Sequence, residues 1–277
     1  MIKSVIFPNY EFETKESLFK SLFDNKEKII SIKKARIHKG CEKGQFSHIN
    51  LDMEKVDAEK NIGFEAKTGF IYPVISTTRF FDSHKDVHFD GSMTKTSEEQ
   101  QGKVFYALDH NLNYDNILTW QENVKMFIAN IPWGLVGKEY EGTTQGLIFE
   151  IDKKNIRRED VLKDIEERSS MFQNSIRMIY HKISVGIKSD KKEHKKEREY
   201  YESRIELIAN KDEVEKEGYF FGVEELGISR EGSLVPSGGS NTATTIYEAV
   251  GNTSSKQEDE PPINGTQTKK QNIFIKI

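Results

Sequence analysis

The sequence predicts a β-rich α+β fold. Three observations carry that prediction. Turn-separated β-branched and aromatic runs begin near residue 64, a well-patterned helix at Arg158–Arg168 interrupts them, and the C-terminal stretch is too polar to join a core. Short strands spaced by turns suit an antiparallel barrel or sandwich.

Taken in order, Phe12, Leu18, Phe19, Leu22 and Phe23 recur at a spacing that predicts a short amphipathic helix, and Ile29–Ile37 (IISIKKARI) reads as a strand. Strands are then expected in Gly69–Thr78, Lys103–Leu108, Val124–Ala129 and Gly146–Ile151. In the 158–168 helix, Val161, Leu162 and Ile165 share a face. Glu159 and Asp160 lie in its first turn and Arg168 in its last, which complements the helix dipole. Ser175–Val185 predicts a strand or strand pair. The charged run at 188–199 (KSDKKEHKKERE) leads into Tyr200, Tyr201, Ile205, Leu207 and Ile208, a helix with a solvated front end rather than a nucleic-acid site. Gly218–Val223 and Ser233–Pro236 read as the last strands. The tail is rich in Ser, Gly, Thr, Asn and Pro, so residues 252–277 are expected to be disordered. This divides the chain into an N-terminal extension (1–62), a central domain (63–245) and a C-terminal tail (246–277) expected to be disordered.

Composition narrows the function. Lys+Arg 41 against Asp+Glu 45 gives 41 − 45 = −4, so the chain has no global field for holding nucleic acid. Cys41 is the single cysteine, which rules out an intrachain disulfide and a cysteine-based zinc site. The segment Met1–Pro8 reaches proline before a signal-peptide core develops, and no apolar run approaches the roughly 18 residues of a membrane span. A soluble, intracellular protein that uses no membrane is the expectation.

Three short motifs can carry chemistry. Asp109-His110 follows a strand and opens a polar loop, and histidine is the side chain suited to taking and returning a hydroxyl proton near neutrality. Ser175 lies where a helix gives way to a strand, and a serine hydroxyl becomes nucleophilic only beside a base. Glu231, in the run Ile228–Pro236, could orient an imidazole from its far side. Singly, each is also what a surface histidine, a helix-end serine or a turn glutamate looks like. The G-x-S-x-G elbow of α/β-hydrolases is missing.

The order of the motifs resembles the prohead (capsid maturation) serine proteases of tailed bacteriophages. Asp109-His110, Gly146-Leu147, the 158–168 helix, Asn174-Ser175-Ile176 and Glu231-Gly232-Ser233-Leu234-Val235-Pro236 follow one another as that family's landmarks do. Upstream, Asp82–Ser92 resembles its segment with an acidic residue, a D-V pair and a glycine. The likeness covers roughly residues 65–245. Asn174 and Ile176 depart from the small residues usual around the family's serine.

The resemblance implies a small antiparallel β-barrel with flanking helices, like that of the herpesvirus assembly proteases. It implies His110 as base, Ser175 as nucleophile and Glu231 as third member, with Glu224 and Glu225 as nearby rivals. It further implies an endopeptidase that needs no cofactor or metal and works inside the immature procapsid in the host cytoplasm. Its substrates would be the scaffold protein, the major capsid protein and its own chain, and it would work as a homo-oligomer.

Two other readings compete. Asp82, His84, Asp86 and His88 alternate, so on one strand they would share a face and could hold a divalent metal for a different hydrolase. A non-enzymatic capsid-assembly or scaffolding protein would fit the charged helix and the tail, but not the β-rich middle with Trp120 and Trp133.

Overall fold

The computed structural model describes residues 1–36, 38–39, 62–236 and 243–248. Cys41 and the expectation of disorder at 252–277 lie outside them. The architecture is α+β.

The first 36 residues are joined to the core. Strands β1 (Ile2–Ser4) and β2 (Phe7–Phe12) form a small hairpin sheet. Helix α1 (Lys15–Asp24) starts at Thr14, which forms a reciprocal capping box with Ser17 and so satisfies backbone N–H groups that no helical turn can reach. Its Leu18, Phe19 and Leu22 are buried with Phe12 and Ile29 among Val185, Ile187, Tyr219 and Phe221.

The strand expected at Ile29–Ile37 is instead helix α2 (Lys26–Ala35). Its buried residues are Ile29 and Lys33, one helical turn apart. The helix carries Lys33 to a distant partner: its ammonium pairs with the buried Asp86 and lies 4.5 Å from the centre of the Phe221 ring. No local pattern announces that.

A two-residue strand, β3 (His38–Lys39), precedes the central strands: β4 (Phe70–Thr77), β5 (Asp86–His88), β6 (Phe105–Leu108), β7 (Ile117–Thr119), β8 (Lys125–Pro132) and β9 (Thr143–Asp152). Helix α3 (Thr94–Glu99) lies among them and α4 (Glu159–Arg168) after them. Two long strands follow, β10 (Phe172–Ile187) and β11 (Tyr219–Pro236), separated by α5 (Lys195–Arg204) and α6 (Lys211–Glu217). The strands expected at Gly218–Val223 and Ser233–Pro236 are the two ends of β11. Last comes β12 (Thr245–Glu248), which crosses the expected 245/246 boundary: residues 246–248, expected in a disordered tail, pair with β4.

One sheet runs β3-β10-β11-β6-β7, with β5 also on β11; the other runs β12-β4-β9-β8. Among the described residues they form no closed barrel. The pairing is not wholly antiparallel either: β5 and β6 both run parallel to β11. The sheets pack face to face beneath Gly232, where a Cβ would come within 2.9 Å of Phe149 Cε2 and 3.0 Å of Ile75 Cγ2. Glycine at this position lets the two layers approach closely enough to seal the core. No helix among the described residues is long and apolar enough to cross a membrane.

Candidate active site

Alternation along β10 and β11 builds the site. Ser175 lies opposite Ser233, so both side chains stand on one face of the sheet, while Ile176 and Gly232 oppose each other on the core face. A β-bulge follows on the far side of Glu231. Between the pairs Ile176–Gly232 and Met178–Ile228, β10 has only Arg177 where β11 has Ser229, Arg230 and Glu231. Arg230 takes up the excess with φ 74°. Glu231 lies two residues before Ser233, in regular register with β6, so alternation puts its carboxyl on the serine's face, fully buried.

His110 arrives from the parallel neighbour β6. Asp109 and His110 both have positive φ (51° and 54°), and the Asn111 N–H donates to the Leu108 carbonyl at 3.0 Å, the pattern of a type I′ turn. Neither residue is glycine, so the turn is strained and needs outside support. That support comes from β11: the Asp109 N–H donates to Leu234 O at 2.9 Å and the His110 N–H to Ser233 Oγ at 3.1 Å. The Arg177 guanidinium adds a bond from Nη2 to His110 O at 2.9 Å.

The three side chains meet. His110 Nδ1 is 2.9 Å from Glu231 Oε1, and His110 Nε2 is 2.8 Å from Ser175 Oγ. A carboxylate only accepts, so Nδ1 carries the hydrogen; the neutral ring then offers Nε2 as acceptor to the serine hydroxyl. Glu231 has two further partners. Ser233 Oγ donates to its Oε2, and Arg177 Nε lies 3.2 Å from Oε1, near enough for the charges to pair though not aligned as a hydrogen bond. These contacts fix the carboxylate before the imidazole needs it. Ser175 is almost wholly covered, with 1% of its surface exposed, and the His110 side chain keeps 7%.

Sequence reading missed Arg177 and Ser233. The signal was present: each stands two residues from a candidate, Ser175 or Glu231, and so on the same face of a strand. The rival glutamates are engaged elsewhere. Glu224 pairs with Lys182 (2.6 Å) and Arg204 (3.6 Å). Glu225 pairs with Lys95 (3.0 Å), which holds its carboxyl below the usual range. Of the other landmarks, Gly146 and Leu147 lie inside β9, buried in the second sheet.

The alternating Asp82, His84, Asp86 and His88 do not lie on one strand, since β5 holds only the last three residues of that stretch. Asp82 Oδ1 instead accepts the backbone N–H groups of His84 and Asp86, each at 2.9 Å. Lys33 supplies the cation for Asp86, whose other oxygen accepts from Tyr180 OH at 2.9 Å. His88 stands beside that hydroxyl, 3.4 Å away. Among the described residues no group of three or more His, Cys, Asp or Glu side chains is arranged to hold a metal. The cation in this cluster is the Lys33 ammonium, which pairs with Asp86 and donates to the His84 carbonyl at 3.2 Å.

Burial, reinforced by the neighbouring Asp86 charge, pushes the Asp82 carboxyl up to about 8. The folded protein therefore holds a proton that the unfolded chain releases near pH 4, and stability falls as pH rises from there towards 8. Asp82→Asn keeps the accepting oxygen and removes the titration. Its stability relative to wild type should rise with pH across that window, by roughly 1 kcal/mol per pH unit at most. Urea unfolding of both proteins at pH 5, 7 and 9 checks this; a difference independent of pH would overturn it.

The chain was compared with protein-family models, with curated proteins and with solved structures, and nothing in any of the three matches it.

Proposed function

We propose that this protein is a serine endopeptidase of the prohead-maturation type. The observation that carries the reading is the single imidazole of His110, bonded through one nitrogen to Ser175 and through the other to Glu231. The geometry is that of nucleophile, base and orienting acid, drawn from three different strands or strand ends.

The reaction follows from these atoms. Ser175 Oγ attacks the carbonyl carbon of a peptide bond while its proton moves to His110 Nε2. The imidazolium is stabilised by Glu231, which accepts from Nδ1 throughout. His110 then gives the proton to the departing amine, leaving an ester on Ser175. Water, deprotonated by the same nitrogen, cleaves that ester and restores the serine. Arg177 and Ser233 are positioning residues: they hold Glu231 and the backbone of the His110 turn, and touch no reacting atom.

The substrates in this reading are the scaffold protein, the major capsid protein and the chain itself. The place of action is the immature procapsid, and the working form is a homo-oligomer. The order of landmarks along the sequence supports the phage assignment. Kinship with the herpesvirus-protease barrel is part of the same reading. It is supported by the contact of β10 with β12, where the edge of one sheet meets the edge of the other.

Intact-mass spectrometry of the purified chain after prolonged incubation tests the reading. Discrete truncations are expected in the wild type and not in Ser175→Ala. Identical truncations in both would show that another protease made them and would remove this support.

A further inference from the structure

We infer that residues 243–248 are an autoinhibitory strap that holds the place of a substrate strand beside Ser175. This rests on the reading of Ser175 as the nucleophile and adds how access to it is controlled.

The nucleophile is covered. Ser175 keeps 1% of its surface, and Asn174 before it keeps none. One edge of β10 is paired with β11 throughout this stretch, so an approaching peptide strand has only the other edge. There the Asn174 N–H donates to Thr244 Oγ1 at 3.0 Å, and Thr244 Oγ1 donates back to Asn174 O at 2.9 Å. One side-chain hydroxyl thus satisfies both backbone groups, the pair that the backbone of an added strand would engage in β-augmentation. The Asn174 side chain completes the grip, donating from Nδ2 to Thr245 O at 2.7 Å while Tyr106 OH donates to its Oδ1 at 2.9 Å. Asn174 thereby has a task that a small residue could not perform.

The strap is held firmly enough to stay and lightly enough to leave. The Ala243 carbonyl accepts from Thr77 Oγ1 at 2.9 Å, Ile246 is buried, and Glu248 pairs with Lys153 at 2.6 Å. Yet β12 is an edge strand of only four residues, and its neighbour opposite Ile246 is Pro73, which has no N–H to give. An extended segment offering its own backbone could displace it.

The test uses the full chain and a fluorophosphonate probe, whose phosphorus is attacked by Ser175 Oγ with loss of fluoride. Thr244→Val deletes both bonds to Asn174 without changing shape. Ile246→Asp drives the strand off β4 by placing a charge in the core. Labelling of Ser175, located by peptide mass spectrometry, should be at least about tenfold faster in Ile246→Asp and several-fold faster in Thr244→Val, because the rate scales with the fraction of molecules in which the edge is free. If Ile246→Asp loses its native circular dichroism, Thr244→Val alone decides. Equal or slower labelling in folded variants overturns the strap and leaves Ser175 as nucleophile. Failure of Ser175 to label in wild type and in both variants overturns the catalytic reading, and the strap with it.

Discussion

Ser175→Ala and His110→Ala should each lower kcat on a peptide substrate by roughly 10⁶-fold, and the double variant should be scarcely worse than either alone. The reason lies in the 2.8 Å contact between Nε2 and Oγ. Without the imidazole the hydroxyl keeps its proton and cannot attack; without the hydroxyl the imidazole has nothing to activate. Each loss removes the same function, so the effects do not add. Single-turnover kinetics on a peptide that the wild type cleaves would measure this. Multiplying effects in the double variant would mean that the two residues act separately, contrary to the mechanism above.

Glu231→Gln should lower kcat by about 10⁴-fold with KM little changed, because it disturbs the tautomer rather than the substrate contacts. A carboxylate can only accept, so it forces the hydrogen onto Nδ1 and leaves Nε2 free to receive the serine proton. A glutamine amide can present its NH₂ to Nδ1 instead, which puts the hydrogen on Nε2 and blocks the base. The substitution also leaves Arg177, whose side chain is 19% exposed, without its acidic partner. A loss of stability should accompany the loss of rate. Arg177→Met in the Glu231→Gln background removes the stranded charge: stability should recover in part, since the bond to His110 O is lost as well, while the rate stays low. Recovery of the rate as well would mean that Glu231 acts only by neutralising Arg177.

Much of this molecule was legible as sequence because the signals are local. The amphipathic pattern of Glu159–Arg168 and the alternating β-branched runs of β4, β6, β8 and β9 announce helix and strands where they occur. Asp109-His110, Ser175 and Glu231 were readable as candidates because residue type and position at strand ends are local properties too. The strand expected at Ile29–Ile37 failed because a short apolar run with interspersed lysines is compatible with either period. The helical period is the one that buries Ile29 and Lys33 together and brings Lys33 to Asp86 and Phe221, both remote in sequence. The metal reading of Asp82–His88 failed for a related reason: it assumed one strand where the chain makes a turn around Asp82 and then β5.

By itself, the sequence determined the secondary structure of most of the core, the residue types available for chemistry and their order along the chain. Those follow from backbone propensity and side-chain periodicity over a few residues. Tertiary structure alone decided that the candidates meet. His110 is presented by a strained turn that Ser233 and Leu234 support from β11, and Ser175 faces Ser233 by strand register. Glu231, rather than Glu224 or Glu225, reaches the imidazole because the parallel pairing of β11 with β6 sets it beside the His110 turn. It also decided that Asn174 is gripped by Thr244 and Thr245. Register, bulges and edge pairing are settled by packing between segments far apart in the chain. No short stretch of sequence contains both sides of such a contact.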